Sequence, residues 1–144
     1  MTIRKILTFP DPKLREVAEE VTNFDSNLKQ LADDLLDTMY EFKGIGLAAI
    51  QIGVRKRIIV ADISEERQEP HIFVNPKIKV LNENKKGGYD EGCLSIPGFY
   101  EEVIRPTQVE ISFQNLSGEN EKLIPEGLLG VVVQHETDHL DGKL

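Results

Sequence analysis

The stretch that most restricts how this chain can fold is "GLLGVVVQHETDHLDG", residues 127–142. It places two histidines in H-E-x-x-H spacing directly behind an apolar run. On a helix, residues four apart differ by about 6 Å of rise and about 40° around the axis. Leu128, Val131, Val132, His135 and His139 then share one stripe, and Gly142 falls where a capping glycine belongs. The β-branched run Val131 to Val133 suits a strand equally well by propensity. Only a helix, however, lets the two imidazoles converge.

A helix here has chemical consequences. His135 and His139 can aim at one ion, whereas Glu136, about 100° round from its neighbour, is poorly placed to ligate. Its carboxylate can instead reach a water held on that ion, the arrangement of metal-assisted hydrolysis. The competing reading is a polar helix face that matches the motif by chance. The preceding apolar run argues against it, because buried imidazoles without partners are costly.

Two histidines leave a third ligand to be found. Only Leu140–Leu144 follow the motif, and Asp141, the one donor among them, lies about 200° from His139 around the axis. The third ligand is therefore expected upstream, among His71, the acids and Cys93. His71 follows the charged "SEERQE" stretch and Pro70, which suits a solvated position. Cys93 sits in "DEGCLSIPG", beside Gly92 and before apolar residues, which suits a buried loop or strand. A thiolate with two imidazoles and a water would make a four-coordinate site with one open position.

Composition narrows the class. A length of 144 residues fits one domain over 1–144 with a single core. The net charge of -8 opposes sequence-independent binding to DNA, RNA or anionic membranes, which need cationic surfaces. One cysteine excludes an internal disulfide and points to a reducing compartment. The N-terminus meets polar and proline-rich sequence before any secretion-signal core could form, and no apolar run is long enough to span a membrane.

The rest of the chain supplies a scaffold. "DSNLKQLADDLLDTMYEFKG" repeats apolar residues at helical spacing, with Asp25 or Ser26 as N-cap and Gly44 just past the end. "GIGLAAIQIG" (44–53) reads as a tight segment leading into a strand. "RIIVADI" (57–63), "IFVNPKIKV" (72–80, interrupted by Pro76) and "QVEISFQ" (108–114) read as short strands, and "NLSGENEKL" (115–123) as a hairpin connection. The expected class is α+β: antiparallel or mixed sheets packed around a buried helix carrying the H-E-x-x-H motif, plus one N-terminal helix. Gly44 and Gly46 would let a substrate lie against Ile45 and Gly46, extended along a strand edge. The amide of Gln51, set in "LAAIQIGV", needs a polar partner, and a substrate oxygen would serve.

Three segments in order, "GIGLAAIQ" (44–51), "EGCLS" (91–95) and "QHETDHLDG" (134–142), resemble the signature motifs of the peptide deformylases. The resemblance runs along nearly the whole chain, including "FPDPKLR" and "NPKI". It implies removal of the formyl group from N-formylmethionyl peptides and nascent chains, releasing formate. It makes Cys93, His135 and His139 the metal ligands and Glu136 the general acid and base. Gln51 and the backbone N–H of Leu94 would donate to the formyl oxygen. It places the methionine side chain among Ile45, Tyr89, Leu128, Val131 and the carbon skeleton of His135, with Gly44, Gly46 and Gly92 also against the substrate. The implied cofactor is one divalent ion, ferrous iron foremost, with zinc, nickel or cobalt as alternatives. The implied setting is the bacterial cytoplasm, or that of a bacterial host if the chain is phage-encoded.

Relatives usually continue beyond "HLDGKL" with an apolar segment and often a helix that docks on the ribosome. Activity is expected without it; ribosome contact through that helix is not carried over, and a transient ribosome contact stays open as a partner. A monomer is expected. Phe99 and Tyr100 stand where many relatives carry polar residues near the substrate mouth, either as specificity elements or as cover for a loop. Two alternatives of other kinds are a hydrolase for differently acylated peptides and a domain that holds peptide N-termini without turning them over.

Overall fold

The computed structural model describes residues 3–8, 11–64, 68–81, 86–93, 96–106, 108–125 and 128–142, with the backbone alone for 86–93, 96–106 and 128. The leading helix, α1 (Ser26–Glu41), starts where its sequence places it: the Asp25 carboxylate accepts the Leu28 N–H at 3.1 Å. Its last residue, Glu41, lies three before the glycine expected to end it. Lys43, not Gly44, takes the left-handed conformation (φ 57°). The Lys43 N–H bonds the Tyr40 carbonyl at 3.1 Å and the Gly44 N–H bonds that of Met39 at 2.9 Å. These two bonds form the Schellman closure, with glycine one place later than its usual position.

The next segment also differs from expectation. The strand comes first, β1 (Gly46–Ala48), and a 3-10 turn over Ala49–Ile52 follows. The turn closes on Gly53, whose φ of 83° ends it. Then come β2 (Ile58–Ala61) and β3 (His71–Val80). Pro76 does not interrupt β3. The register shifts between Val74 and Lys77, with Asn75 at φ 51°, so a bulge accommodates the missing N–H.

Residues 86–106, read from sequence as a loop or strand around Cys93 and a loop at Phe99 and Tyr100, form a two-stranded hairpin, β4 (Lys86–Cys93) with β5 (Ile96–Pro106). β6 (Val109–Gln114) and β7 (Asn120–Leu123) form a hairpin whose second strand takes up the last four residues of the 115–123 stretch expected to be its connection, and α2 (Leu128–Leu140) carries the H-E-x-x-H segment. The larger sheet runs β1-β2-β3-β6-β7, all neighbours antiparallel. The fold is α+β, and no parallel strand pair occurs among the described strands.

Strand alternation sorts the core into two layers. Leu47, Ile58, Val60 and Val74 pack with Leu28, Leu31, Leu35 and Met39 of α1. Their neighbours Ala48, Ile59, Ala61 and Phe73 pack with Leu129, Val132, Val133 and Leu140 of α2. The helices thus cover opposite faces of the sheet, which explains why all four residues of β2 are buried. No described helix is long and apolar enough to cross a membrane.

Candidate active site

α2 brings His135, Glu136 and His139 together over one turn. The two Nε2 atoms face each other at 3.1 Å, with ring planes at 74°. Glu136 Oε1 lies 3.6 Å from His135 Nε2, and donor atoms of all three residues fall within 4.8 Å of one another. Glu136 is 4% exposed and His139 1%, whereas the His135 side chain is 19% exposed, so the group opens to solvent on one side only.

This donor set fits a divalent ion. Two nitrogens ligating one ion tetrahedrally at about 2.0–2.1 Å are about 3.3 Å apart, close to the observed spacing. A hydrogen bond between neutral imidazoles would also hold them there, but the carboxylate oxygen 3.6 Å from His135 Nε2 adds a third, negatively charged donor to the same point. A cation between the rings accounts for the convergence of all three.

The helix is fastened at its C-terminal end. Gly142 (φ 77°) reaches the backbone of Arg15 so tightly that a methyl would be 2.4 Å from the Arg15 carbonyl oxygen. Its N–H bonds the His139 carbonyl, as a capping glycine should. Arg57 supplies a further cap, pairing with Asp141 at 2.9 Å and reaching the Leu140 carbonyl at 3.4 Å. Asp141, considered from sequence as a remote ligand, is engaged in that ion pair.

β1 meets α2 at the carboxylate. A methyl on Gly46 would stand 2.6 Å from Val132 Cγ1 and 3.1 Å from Glu136 Cγ. Glycine is thus required at this crossing by proximity. β1 is also an edge strand. The Asp62 N–H bonds the Ile45 carbonyl at 3.0 Å, and Gly46 pairs with Ala61. In an antiparallel ladder this makes Gly46 and Ala61 a non-hydrogen-bonded pair, so the Gly46 N–H and carbonyl point away from β2 towards the open edge.

Gln51 is 1% exposed, and its Oε1 accepts the Ala48 N–H at 2.9 Å. The buried amide thus has an internal partner at its oxygen end, which the sequence reading did not foresee; the contact turns its NH2 end away from Ala48. Ile45 is 38% exposed between Gly44 and the start of β1, and Val131 is buried one turn before His135. Cys93 closes β4, which also contains Tyr89 and Gly92, and Leu128 opens α2; their side chains lie outside what the structure describes. Leu94 lies outside the described residues.

One buried acid escaped the sequence reading. Asp62 is fully buried, and its carboxylate accepts bonds from Tyr40 Oη (2.6 Å), Ser64 Oγ (2.5 Å), the Ser64 N–H (2.9 Å) and the Glu69 N–H (3.2 Å). Burial would raise its pKa, but the hydrogen bonds, those from Ser64 and Tyr40 foremost, outweigh burial and hold it below its ordinary 3.8. The available signal was an acid set directly after a β-branched run, with a serine two residues on.

The family described as polypeptide deformylase matches residues 3–144. A peptide deformylase of Cellvibrio japonicus is 51% identical over all of this chain and 85% of its own length. A crystal structure of a peptide deformylase from Legionella pneumophila superposes with a TM-score of 0.93 at 43% identity, over 99% of this chain and 83% of that one. A probable peptide deformylase from synechococcus phage S-SSM7 superposes with a TM-score of 0.92 at 43% identity, over 98% of this chain and 96% of that one. With a helix-borne His-Glu-His group at the crossing of an edge strand, and matches of this extent, the chain belongs to the polypeptide deformylase family, metal-dependent hydrolases that remove formyl groups from nascent peptides.

Proposed function

We propose that this chain hydrolyses the formyl amide of N-formylmethionyl peptides at the His135–Glu136–His139 group, acting as a single domain and a monomer in a bacterial cytoplasm. The reading rests above all on the 3.1 Å approach of the two Nε2 atoms beside a buried carboxylate. Family likeness adds Cys93 as the third ligand. Together His135, His139 and Cys93 would hold the divalent ion, with ferrous iron the expected metal. When bound, that ion supplies Lewis acidity to the formyl oxygen and to water.

The remaining chemistry belongs to the chain. The substrate adds to the open edge of β1, its methionine N–H donating to the outward Gly46 carbonyl. The Gln51 NH2 group and the Leu94 N–H donate to the formyl oxygen as negative charge develops there, each worth a few kcal/mol at the transition state (roughly 3). Glu136 takes a proton from the water whose oxygen bonds the formyl carbon. It returns that proton to the methionine nitrogen as the carbon–nitrogen bond breaks, leaving formate and a free amine. The methionine side chain enters an apolar pocket formed by Ile45, Tyr89, Leu128, Val131 and the His135 ring, with Gly44 and Gly92 flanking the peptide. Val131 suits this role because, although buried, it joins neither core cluster of the described residues.

The acidic balance, a net charge of -8, favours contact with the emerging peptide over contact with ribosomal RNA. The deciding experiment follows formate release from a formyl-Met tripeptide by protein loaded anaerobically with ferrous iron, beside Glu136→Gln. Turnover by the parent, lost in the variant with metal retained, is expected. No turnover by metal-loaded parent would refute the proposal.

A further inference from the structure

We infer that Asp62 is a positioning residue for the substrate-binding edge, a role that rests on the deformylase reading above and assigns it a further part. The observation is that one buried residue fastens both ends of the turn leading into β1. Its carboxylate takes the Tyr40 hydroxyl at 2.6 Å, and its own N–H takes the Ile45 carbonyl at 3.0 Å. Between those points the chain leaves α1 through the left-handed Lys43 and reverses towards the sheet. Gly46 follows at once, facing Val132 at a distance that admits no methyl.

A simpler role, organising the loop after β2, explains only part of the bonding. The Ser64 and Glu69 contacts serve that loop, as does the bond from the Gln68 N–H to Ser64 Oγ. The Tyr40 bond does not, since it reaches α1 on a separate element. Asp62 therefore ties the helix through its carboxylate and the turn into the edge strand through its backbone N–H. The Ile45 carbonyl is held inward on Asp62, and the alternation of the strand then turns the Gly46 carbonyl outward. Slack at Asp62 would pass to Gly46, displacing the acceptor offered to the substrate while leaving His135, Glu136 and His139 on their own helix.

The test compares Tyr40→Phe, Asp62→Asn and, as control, Asp34→Asn in the iron-loaded chain. Asp34 is a second buried acid, in α1, bonded by Arg4 and Gln30 but not by the turn into β1. KM for a formyl-Met tripeptide and kcat are measured together with amide hydrogen exchange. Loss of one bond to a charged acceptor should raise KM about tenfold in Tyr40→Phe and further in Asp62→Asn, with kcat little changed. Exchange should quicken at Leu47 and at residue 62, whose N–H groups bond across the β1–β2 pairing, but not along α2, and Asp34→Asn should leave KM at the parent value. The inference is overturned if KM does not move, if Asp34→Asn moves it equally, or if exchange rises uniformly. Should Asp62→Asn fail to fold, Tyr40→Phe carries the same test. A parent that turns nothing over would instead sink the deformylase reading, and the exchange pattern would then judge the clamp alone.

Discussion

Replacing Gly46 by alanine tests whether the crossing of β1 and α2 sets the reaction geometry. The added methyl would lie 2.6 Å from Val132 Cγ1, about 1 Å inside an ordinary carbon–carbon contact. It would also lie 3.1 Å from Glu136 Cγ, a smaller overlap. Val132 is 6% exposed and β-branched, so it has essentially one rotamer on a helix and cannot swing aside. The strain must move a strand or a helix. Overpacking of this kind costs about 1–3 kcal/mol, or about 3–10 °C in Tm for a chain of this size.

Activity should suffer more than stability. Whether β1 retreats or α2 yields, the Gly46 carbonyl and the Glu136 carboxylate separate by a good part of the overlap, and misplacement near 1 Å costs roughly 100-fold. The assay is thermal unfolding beside kcat/KM for formate release, repeated in Gly46→Ala/Val132→Ala. Removing Cγ1 relieves the larger overlap but leaves the contact with Glu136, so Tm should recover further than kcat/KM. A Gly46→Ala protein with parental Tm and kcat/KM would refute the argument, because the crossing would then have room to spare.

Other perturbations have expected outcomes of their own. Gly142→Ala combines a left-handed φ of 77° with a 2.4 Å approach to the Arg15 carbonyl; the backbone conformation alone costs about 1–2 kcal/mol, so calorimetry should show a Tm loss exceeding that of Gly46→Ala. Arg57→Ala removes the cap at Leu140 and the pair with Asp141, whose side chain is 43% exposed; the screened pair should give a coupling below about 1 kcal/mol in a cycle with Asp141→Ala, while the lost cap should hasten metal release to a chelator. Asp62 has a folded pKa below its ordinary 3.8, so its contribution is fully present above that value and is lost as pH falls through the folded pKa. Acid titration of stability should accordingly be shallower below about pH 4 in Asp62→Asn than in the parent. Stripping the metal should lower Tm, reversibly on reloading, by about 2.7 kcal/mol of stability for an ion held at 100 times its Kd.

The parts of the site legible in the sequence are those whose physics is local. Helical spacing alone brings His135 and His139 to one point and sets Glu136 beside them, so reading the motif as a helix was enough to place all three. Asp25 as N-cap and Gly142 as left-handed terminator were legible for the same reason. β1 was not: three residues are too few to show alternation, and its strand character comes from pairing with β2. The hairpin over 86–106 was obscured by its glycines and prolines, whose turn preferences are overridden by pairing along the ladder. Lys43 took the conformation that Gly44 was expected to hold, a shift of one residue that propensity cannot resolve.

Asp62 was hidden more deeply, since its meaning lies in a tyrosine 22 residues away and a carbonyl in the turn before β1. This division has a physical origin. Converging donors on a cation can be achieved within one turn of helix, but presenting a peptide bond to those donors requires a second backbone, fixed independently at a defined distance. The distance here is set where Gly46 passes Val132 and Glu136, and a residue with no side chain is what permits the approach. On the proposed reaction, chemistry is encoded by the side chains α2 presents and alignment by the absence of one on β1, with Asp62 inferred to keep that strand in register.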